Sequence, residues 1–254
     1  MGETVAFKVA TYNIHKCIGI DRRHSVGRVA RVIQEIDADV IALQEVVSRT
    51  HPRHDHDREH DQAHAIAERL GLTLVMGPAI KTVWGVYGNV VLTRLPVTGH
   101  ANFDISTSRR EPRACMRVDL DVDGVPVHFY NTHFGTSYSE RCEQSRRLAC
   151  AEILLGSHPE QPQILVGDFN DWFQGQASRM LGDHMHDVTR RMHPTYPGVL
   201  PFLRLDRIYV NDHVRCLQSR MHQTPLARVA SDHAPVVARL EAAAASAARE
   251  RKIS

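Results

Sequence analysis

Polar side chains that could bind a metal ion or transfer a proton stand at the ends of several apolar runs in this chain. A polar residue at the end of one strand most often caps the next turn, so each alone favours a structural role. Four runs nevertheless end in this way, and a fold that presents their ends at one edge would bring the side chains together. The side chains are Asn13, Glu45, His133, Asp168 and Asn170.

Two further acidic positions favour a functional site over a set of unrelated caps. Asp206 lies inside an apolar run, where burial of a carboxylate costs several kcal/mol unless the group is paired, hydrogen-bonded or bound to a metal. Asp232 and His233 form an acid–histidine pair that opens the last apolar run. The complete set indicates chemistry at a shared site.

Carboxylate, amide and imidazole groups of this kind can hydrolyse a phosphoester. The reaction needs a cation to neutralise phosphate oxygens, a positioned water and a proton donor for the leaving oxygen. Carboxylate and amide oxygens suit Mg²⁺ or Mn²⁺, and the sequence offers no cysteine–histidine cage for structural zinc. An aspartate beside a histidine can hold the imidazole in one tautomer that donates to phosphate near neutral pH.

Other candidate residues are less specific. The segment 51–64 contains five histidines but no apolar period, which predicts a loop near the substrate entrance with no ligand role. Trp172 follows the GDFND sequence and Trp84 precedes a glycine. For both tryptophans, packing beneath the site and contact with substrate stay open.

The elements that must position these residues are short strands, with helices between some of them. Apolar residues at helical spacing after Ser25, a predicted N-cap, indicate a helix over 26–36, and a second helix is predicted over 139–155. Loops are predicted over 102–113 and 192–204, as well as over 51–64. Strands mixed with helices imply a layered α/β sandwich. The predicted strands are 7–14, 39–43, 88–92, 114–120, 126–132, 163–166, 205–210 and 234–240.

Length and composition predict one compact domain over 1–240, followed by an alanine-rich and then basic tail over 241–254. The 31 basic and 29 acidic residues give a net charge of +2. The overall charge therefore does not indicate a polybasic surface that binds nucleic acid regardless of its sequence. Five cysteines without a CxxC pair argue against a disulfide framework and favour the cytoplasm. No run reaches the roughly 18 apolar residues of a membrane span.

Seven motifs give the sequence a specific family resemblance from Thr11 to Leu240. In order they are YNIH, LQEV, GNVVLTRLP, YNTHFG, VGDFND, LDRIYV and SDHAPV. With them the chain resembles the endonuclease/exonuclease/phosphatase superfamily of metal-dependent phosphoesterases, which includes deoxyribonucleases, neutral sphingomyelinases and inositol-polyphosphate 5-phosphatases. The resemblance implies a four-layer α/β sandwich, with two mixed β-sheets between helices and the site at one edge.

The resemblance also implies roles for the metal- and water-binding residues. Carried over by motif, Glu45 would be the principal ligand of a divalent cation, Mg²⁺ or Mn²⁺. Asn13 would lie beside it, and Asp232 would lie close to the metal. Asp168 would orient or deprotonate the attacking water, while Asn170 would hold that water or a phosphate oxygen.

The remaining residues would act on the phosphate. By the same resemblance, His233 would contact the scissile phosphate, and His133 would stabilise it or assist the leaving group. Asp206 would orient His133, so two acid–histidine pairs are expected, Asp206 with His133 and Asp232 with His233. Arg113 stands where the deoxyribonucleases have an arginine that reaches a phosphate, although a solvated basic loop remains an alternative.

The sequence thus predicts a phosphodiesterase that acts on a small or lipid phosphodiester. Lysine is scarce before the tail, at Lys8, Lys16 and Lys81, so a long polyanion is not favoured as a partner, whereas peripheral contact with lipid stays open. A nuclease is the alternative within the enzyme class, and a non-catalytic phosphate-binding module is the alternative outside it. The residues at 131–133 and the absence of NING after the first strand speak against abasic-site repair. The oligomeric state is not predicted.

Overall fold

The computed structural model describes residues 4–49, 61–150, 153–154, 160–190, 194–198 and 200–243. In this part of the chain, twelve strands form two mixed sheets of six strands each. The strands are β1 (Thr4–Asn13), β2 (Val40–Arg49), β3 (Thr73–Thr82), β4 (Gly85–Thr93), β5 (Val97–Asp104), β6 (Ala114–Val122), β7 (Val125–His133), β8 (Gln163–Asp168), β9 (His186–Asp187), β10 (Asp206–Val210), β11 (Val214–Met221) and β12 (Val236–Ala243). The helices are α1 (Val26–Ile36), α2 (Gln62–Leu70), α3 (Tyr138–Leu148), α4 (Gln176–Gly182) and α5 (Ala227–Ala230), and a 3-10 turn spans His15–Cys17.

Each sheet is built around one parallel pair of strands. The first sheet has the order β11-β12-β1-β2-β4-β3, and the second has the order β5-β6-β7-β8-β10-β9. The parallel pairs are β1 with β2 and β7 with β8, and α1 and α3 lie in the respective connections. Because such a crossover returns the chain to the same end of the sheet, the carboxyl ends of both strands in a pair lie at one edge.

Three apolar cores separate four layers. Val91 of the first sheet and Phe129 of the second belong to the core between the sheets. Ile33 of α1 and Ile66 of α2 belong to the core that covers the outer face of the first sheet. Leu148 of α3 belongs to the third core, on the outer face of the second sheet. This arrangement confirms the predicted four-layer α/β sandwich.

Helix α1 begins and ends as its sequence predicts. The Ser25 side chain accepts a hydrogen bond from the backbone nitrogen of Arg28 at 3.2 Å, which makes Ser25 the N-cap. The buried side chains of the helix recur on one face, and Asp37 closes it in the left-handed conformation with a φ of 49°. The helix therefore packs on the sheet as an amphipathic element and links β1 to β2.

Some element boundaries differ from the predictions. Residues 62–64 belong to α2, whose N-cap is Asp61. The predicted loop over 51–64 was therefore wrong for these three residues, and residues 51–60 lie outside the described residues. Helix α3 ends at Leu148, short of the predicted end at 155. Strand β12 continues to Ala243, past the expected domain boundary at 240, and residues 244–254 lie outside the described part.

Two global features bear on the environment of the protein. Within the described residues, no helix is both long enough and apolar enough to cross a membrane. All five cysteines are free thiols.

Candidate active site

Strand register brings the predicted site residues side by side. In the second sheet, β7 and β8 pair His133 with Asp168, and β8 and β10 pair Asp168 with Asp206. In the first sheet, Asn13 at the end of β1 pairs with the residue before Glu45 on β2. The ends of these strands face one cleft at the edge of the sandwich.

Two backbone features shape this edge. A bulge interrupts β2, since its pairing with β4 shifts between Leu43 and Val46, and Glu45 within the bulge has a φ of 57°. Bulges re-aim side chains and occur next to active sites. On β8, Gly167 has a φ of 147°, and a Cβ atom there would collide with the carbonyl oxygen of Thr132. Only glycine therefore allows β8 to approach β7 so closely beside the site.

Oxygen-bearing side chains gather on the side of the first sheet. The Asn13 Nδ2 donates to Glu45 Oε1 at 3.2 Å and to Asp168 Oδ2 at 3.1 Å. Asn13 Oδ1 in turn accepts from the backbone nitrogen of His15 at 3.0 Å. The Asp232 carboxylate lies 3.6 Å from His15 Nδ1. A single amide thus holds two carboxylates close together, with a third acid nearby.

His233 lies between two carboxylates. Its Nδ1 is 2.9 Å from Asp206 Oδ2, and its Nε2 is 3.6 Å from Asp168 Oδ2. Burial acts to lower the pKa of His233, but the charges of Asp206 and Asp168 outweigh it and raise that pKa to about 10. The ring also packs against Tyr196, with ring centroids 4.9 Å apart. His233 is therefore held as an imidazolium.

His133 has the opposite electrostatic environment. Its Nδ1 is 3.1 Å from Arg113 Nη1, and its Nε2 is 3.2 Å from the amide of Asn170 and 3.6 Å from Asp168 Oδ2. Burial lowers the pKa of His133 to about 3, and the positive charge of Arg113 acts in the same direction, against the opposing effect of Asp168. His133 is therefore neutral near pH 7.

The expected acid–histidine pairs are wrong. Asp206 contacts His233 and not His133, because β8 separates β7 from β10 and places Asp168 between the two side chains. Asp232 does not pair with its neighbour His233; its basic neighbour is His15. The partner that contacts Nδ1 of His133 is the guanidinium of Arg113.

Arg113 is committed to protein groups. Its Nη1 also lies 3.1 Å from Glu111 Oε1, and its side chain is only 10% exposed. The residue lines the cleft, so a substrate phosphate would meet a guanidinium already bonded to His133 and Glu111. Its predicted substrate contact stays a prediction.

The cleft has a volume of about 330 Å³ and contains residues that the sequence did not single out. Lys16, Tyr87 and Tyr196 line it, together with Trp172. Lys16 directly follows the YNIH motif, which is a signal that could have found it. The two tyrosines stand in a strand and in a proline-containing loop, where nothing in the sequence separates them from packing residues. Trp84 lines a neighbouring groove that shares Tyr87.

A buried polar network lies beneath the cleft and joins the two sheets. Gln44 Nε2 donates to Asn131 Oδ1 at 2.7 Å and to Thr11 Oγ1 at 3.0 Å. Asn131 Nδ2 donates to the carbonyl oxygens of Leu43 and Val90 at 3.0 and 2.9 Å. The positions of the site side chains depend on how the two sheets are placed relative to each other. By joining the sheets beneath the cleft, this network fixes those positions.

Two groups of side chains in the site could hold a divalent cation. In the first group, Glu45 and Asp232 offer carboxylate oxygens at the cleft and Asn13 contacts Glu45 through its Nδ2; within the described segments no basic side chain pairs with Glu45. The second group is Asp168, Asp206 and His233, whose ligand atoms lie within 4.8 Å of one another. There, the imidazole of His233 already bridges the two carboxylates. The first group therefore fits a hard cation better.

Comparison with known proteins gives the class to which this arrangement belongs. The family model described as "Endonuclease/Exonuclease/phosphatase family" matches residues 10–233. The uncharacterized protein YbhP of Escherichia coli K12 is 30% identical over 250 residues, which cover 92% of this chain and 96% of that protein. The chain therefore belongs to the endonuclease/exonuclease/phosphatase family.

Solved structures share the same fold. An endonuclease/exonuclease/phosphatase from Beutenbergia cavernae is similar with a TM-score of 0.76 at 23% identity, over 95% of this chain and 72% of that one. The mannosyl-6-phosphatase Bt3783 of Bacteroides thetaiotaomicron is similar with a TM-score of 0.74 at 19% identity, over 92% and 99%. TDP2 of D. rerio, complexed with single-strand DNA product, is similar with a TM-score of 0.68 at 15% identity, over 92% and 98%. Members of this family are generally hydrolases of phosphoester bonds and generally depend on divalent metals.

Proposed function

We propose that this protein is a divalent-metal-dependent phosphodiesterase that hydrolyses a small or lipid phosphodiester by in-line attack of water. The position of one carboxylate oxygen carries this proposal. Asp168 Oδ2 accepts from Asn13 and lies 3.6 Å from the Nε2 atoms of both His133 and His233. A carboxylate at the junction of the metal-binding side and the histidine side can orient water towards a phosphate held between them.

The cation would be Mg²⁺ or Mn²⁺, held by Asn13, Glu45 and Asp232. When bound, it would neutralise phosphate oxygens and so lower the barrier to attack by an anionic or polarised water. Oxygen donors from side chains, without sulfur, are the ligand chemistry that these hard cations require.

The other side chains act on the water and the phosphate. Asp168 accepts a proton from the water or orients it, and Asn170, whose backbone nitrogen donates to Asp168 Oδ1 at 2.9 Å, is fixed where it can hold the same water. His233, held as an imidazolium by Asp206, donates to the phosphate or the leaving oxygen. His133 is neutral and serves as a hydrogen-bonding partner of the phosphate.

Charge supports a small substrate over a long polyanion. A protein that holds duplex DNA spreads several cationic side chains along one face. Around this cleft, Arg113 is bonded to His133 and Glu111, and Lys16 is the one lysine of the described residues that lines it. These few cations are enough for a small phosphoester but not for a long row of phosphates.

Exposed apolar side chains near the cleft support peripheral contact with lipid. Trp172 lines the cleft and is 51% exposed, and its neighbour Phe173 is 85% exposed. Phe202 is 67% exposed, and its backbone nitrogen donates to the carbonyl oxygen of the cleft residue Tyr196. Aromatic residues exposed together mark interaction sites, and such side chains favour the boundary between lipid and water.

Free thiols support placement in a reducing compartment, and we include the cytoplasm in this proposal. The five cysteines form no disulfide.

The proposal is tested by turnover of a panel of phosphoesters with Mg²⁺, Mn²⁺ or EDTA. We expect a soluble diester such as bis(p-nitrophenyl) phosphate to be cleaved with Mg²⁺ or Mn²⁺ but not with EDTA, and with weak dependence on ionic strength. The Asp168→Asn variant, purified in parallel, is the control for contaminating enzymes. Efficient nicking of a plasmid with a steep salt dependence would make the nuclease alternative correct. Phosphate binding without turnover of any substrate would make the protein a non-catalytic module.

Lipid contact has a separate test, which is sedimentation with phosphatidylcholine–phosphatidylglycerol vesicles. We expect the wild type to bind, and the double variant Phe173→Ser, Phe202→Ser to lose binding. Leu217→Ser removes an exposed apolar side chain from β11, outside the cleft lining, and is the matched control. Equal vesicle binding by all three proteins, or by none, would contradict the role of these aromatic residues.

A further inference from the structure

The turn that follows Asn13 has an unusual backbone. His15, Lys16 and Cys17 have φ values of 45°, 54° and 58°, so three consecutive residues that are not glycine adopt the left-handed conformation. Side chains other than glycine disfavour this conformation, and it normally occurs at single residues. Such strain persists only where the surrounding structure holds it, and it occurs at functional sites.

Contacts from other elements hold this turn in place. Gln62 Nε2 of α2 donates to the carbonyl oxygen of Lys16 at 2.7 Å, and the backbone nitrogen of Ser25 donates to the carbonyl oxygen of Cys17 at 2.9 Å. The Cys17 side chain is fully buried. At the start of the turn, the His15 nitrogen donates to the Asn13 side chain. The turn is therefore anchored on both sides, and its middle residue is presented at a fixed place.

The middle residue is a lysine at the cleft. Lys16 is exposed and lines the cleft, and its Nζ lies 5.5 Å from the centroid of the Tyr87 ring. Within the described residues it forms no ion pair with a carboxylate. An ammonium that rests on an aromatic face keeps its charge and can leave that face for a stronger partner.

The other cations of the cleft are already engaged. Arg113 contacts His133 and Glu111, and His233 contacts two aspartates. Lysine occurs at only four positions in the chain, 8, 16, 81 and 252, and one of them is placed here. A lysine, which is a compact point charge on a flexible stem, can follow an anionic oxygen as it enters the cleft.

We propose that Lys16 is a substrate-binding residue that contacts an anionic phosphate oxygen, and that the left-handed turn exists to present it. The inference rests on the proposed function, because it supposes that a phosphoester occupies this cleft. It adds Lys16 as a phosphate contact beside the contact predicted for Arg113.

The test measures binding of inorganic phosphate, in the presence of Mg²⁺, by calorimetry, together with steady-state kinetics on the soluble diester. For Lys16→Met we expect phosphate binding weaker by about 10-fold or more and a KM raised by a similar factor, with kcat nearly unchanged. Lys16→Arg should retain most of the binding. Lys81→Met removes the same charge from an exposed position outside the cleft lining, and it should bind phosphate like the wild type.

A glycine variant separates the turn from the charge. Lys16→Gly should bind phosphate as weakly as Lys16→Met, yet melt at an equal or higher temperature than Lys16→Met, because glycine adopts the left-handed conformation without strain. Equal phosphate affinity for the wild type and Lys16→Met would overturn the inference. Phosphate binding that depends on Lys16 in a protein that cleaves no diester would support the inference and overturn the proposed function instead.

Discussion

The two parallel strand pairs at the centres of the sheets have the same architecture but opposite electrostatic surroundings. In the unit β1–α1–β2, Asn13 ends β1 and Glu45 lies in the bulge of β2, and no basic side chain of the described residues pairs with Glu45. The unit β7–α3–β8 ends in His133 and Asp168, beside His233 and Arg113. The same topology thus brings polar side chains of two parallel strands together in each sheet, and the surrounding side chains decide what each pair can do.

The difference assigns separate tasks to the two units. A carboxylate without a counter-charge fits a divalent cation, whereas a carboxylate between two imidazoles fits proton transfer. The two imidazoles differ as well, since acids raise the pKa of His233 and burial lowers that of His133. Groups whose pKa values are driven apart by their environments commonly hold different roles in one reaction.

The largest expected effect belongs to the second unit. Asp168→Asn should lower kcat by about 10⁴-fold, because the water loses the group that orients or deprotonates it. Binding of inorganic phosphate, measured by calorimetry, should persist. A raised KM with an intact kcat would instead indicate that Asp168 serves in binding. The second unit would then have no separate role in proton transfer.

In the first unit, Glu45→Gln should remove a charged ligand while keeping the shape of the side chain. We expect turnover at limiting Mg²⁺ to fall by about 10³-fold, with partial recovery at high Mg²⁺. Thermal unfolding in EDTA should match the wild type, since the change concerns the cation. Activity near the wild-type value at limiting Mg²⁺ would remove Glu45 from the proposed ligands.

The two histidines can be compared through a double-variant cycle. His133→Ala and His233→Ala should each lower kcat by roughly 10²-fold or more, the usual scale for a lost proton donor or phosphate contact. If both act on the same developing charge, the double variant should be little worse than the poorer single variant. Effects that multiply cleanly would show that the histidines serve independent steps.

The smallest effect is expected at the residue that distinguishes the two imidazoles. Arg113→Met removes a positive charge 3.1 Å from His133 Nδ1, so the pKa of His133 should rise from its low value. If the neutral ring is the active form, activity on the acid side should then be lost at a higher pH than in the wild type. A pH–rate profile for the wild type and the variant measures this shift. If both proteins lose activity at the same acidic pH, Arg113 does not set the pKa of His133.

The strands that the sequence predicted and the strands it missed differ in their place in the sheets. Every predicted strand is an interior strand, flanked by neighbours on both sides. The strands without a prediction are β3, β5, β9 and β11, which are the four sheet edges. In β5, half-buried and exposed residues alternate along the whole strand, so no apolar run marks it. These strands gave no clear signal in the sequence because a strand at the edge of a sheet is less buried and needs no continuous apolar run.

The sequence allowed a prediction that these side chains lie close together, but not of the contacts among them. Strand ends such as His133 and Asp168 carry polar side chains after apolar runs, and those patterns are visible in the sequence. The contact of Asp206 with His233 depends on β8 lying between β7 and β10, and strand order is not encoded in any one motif. Lys16 reaches the cleft through a left-handed turn, which local propensity opposes.

The position of the bound cation tests the division between the two units most directly. A crystal soaked in Mn²⁺ and measured for anomalous scattering would locate the ion without reference to activity. We expect a peak beside Glu45 and Asn13, in the first unit. A peak enclosed by Asp168, Asp206 and His233, with none beside Glu45, would contradict the division of metal binding and proton transfer between the two sheets.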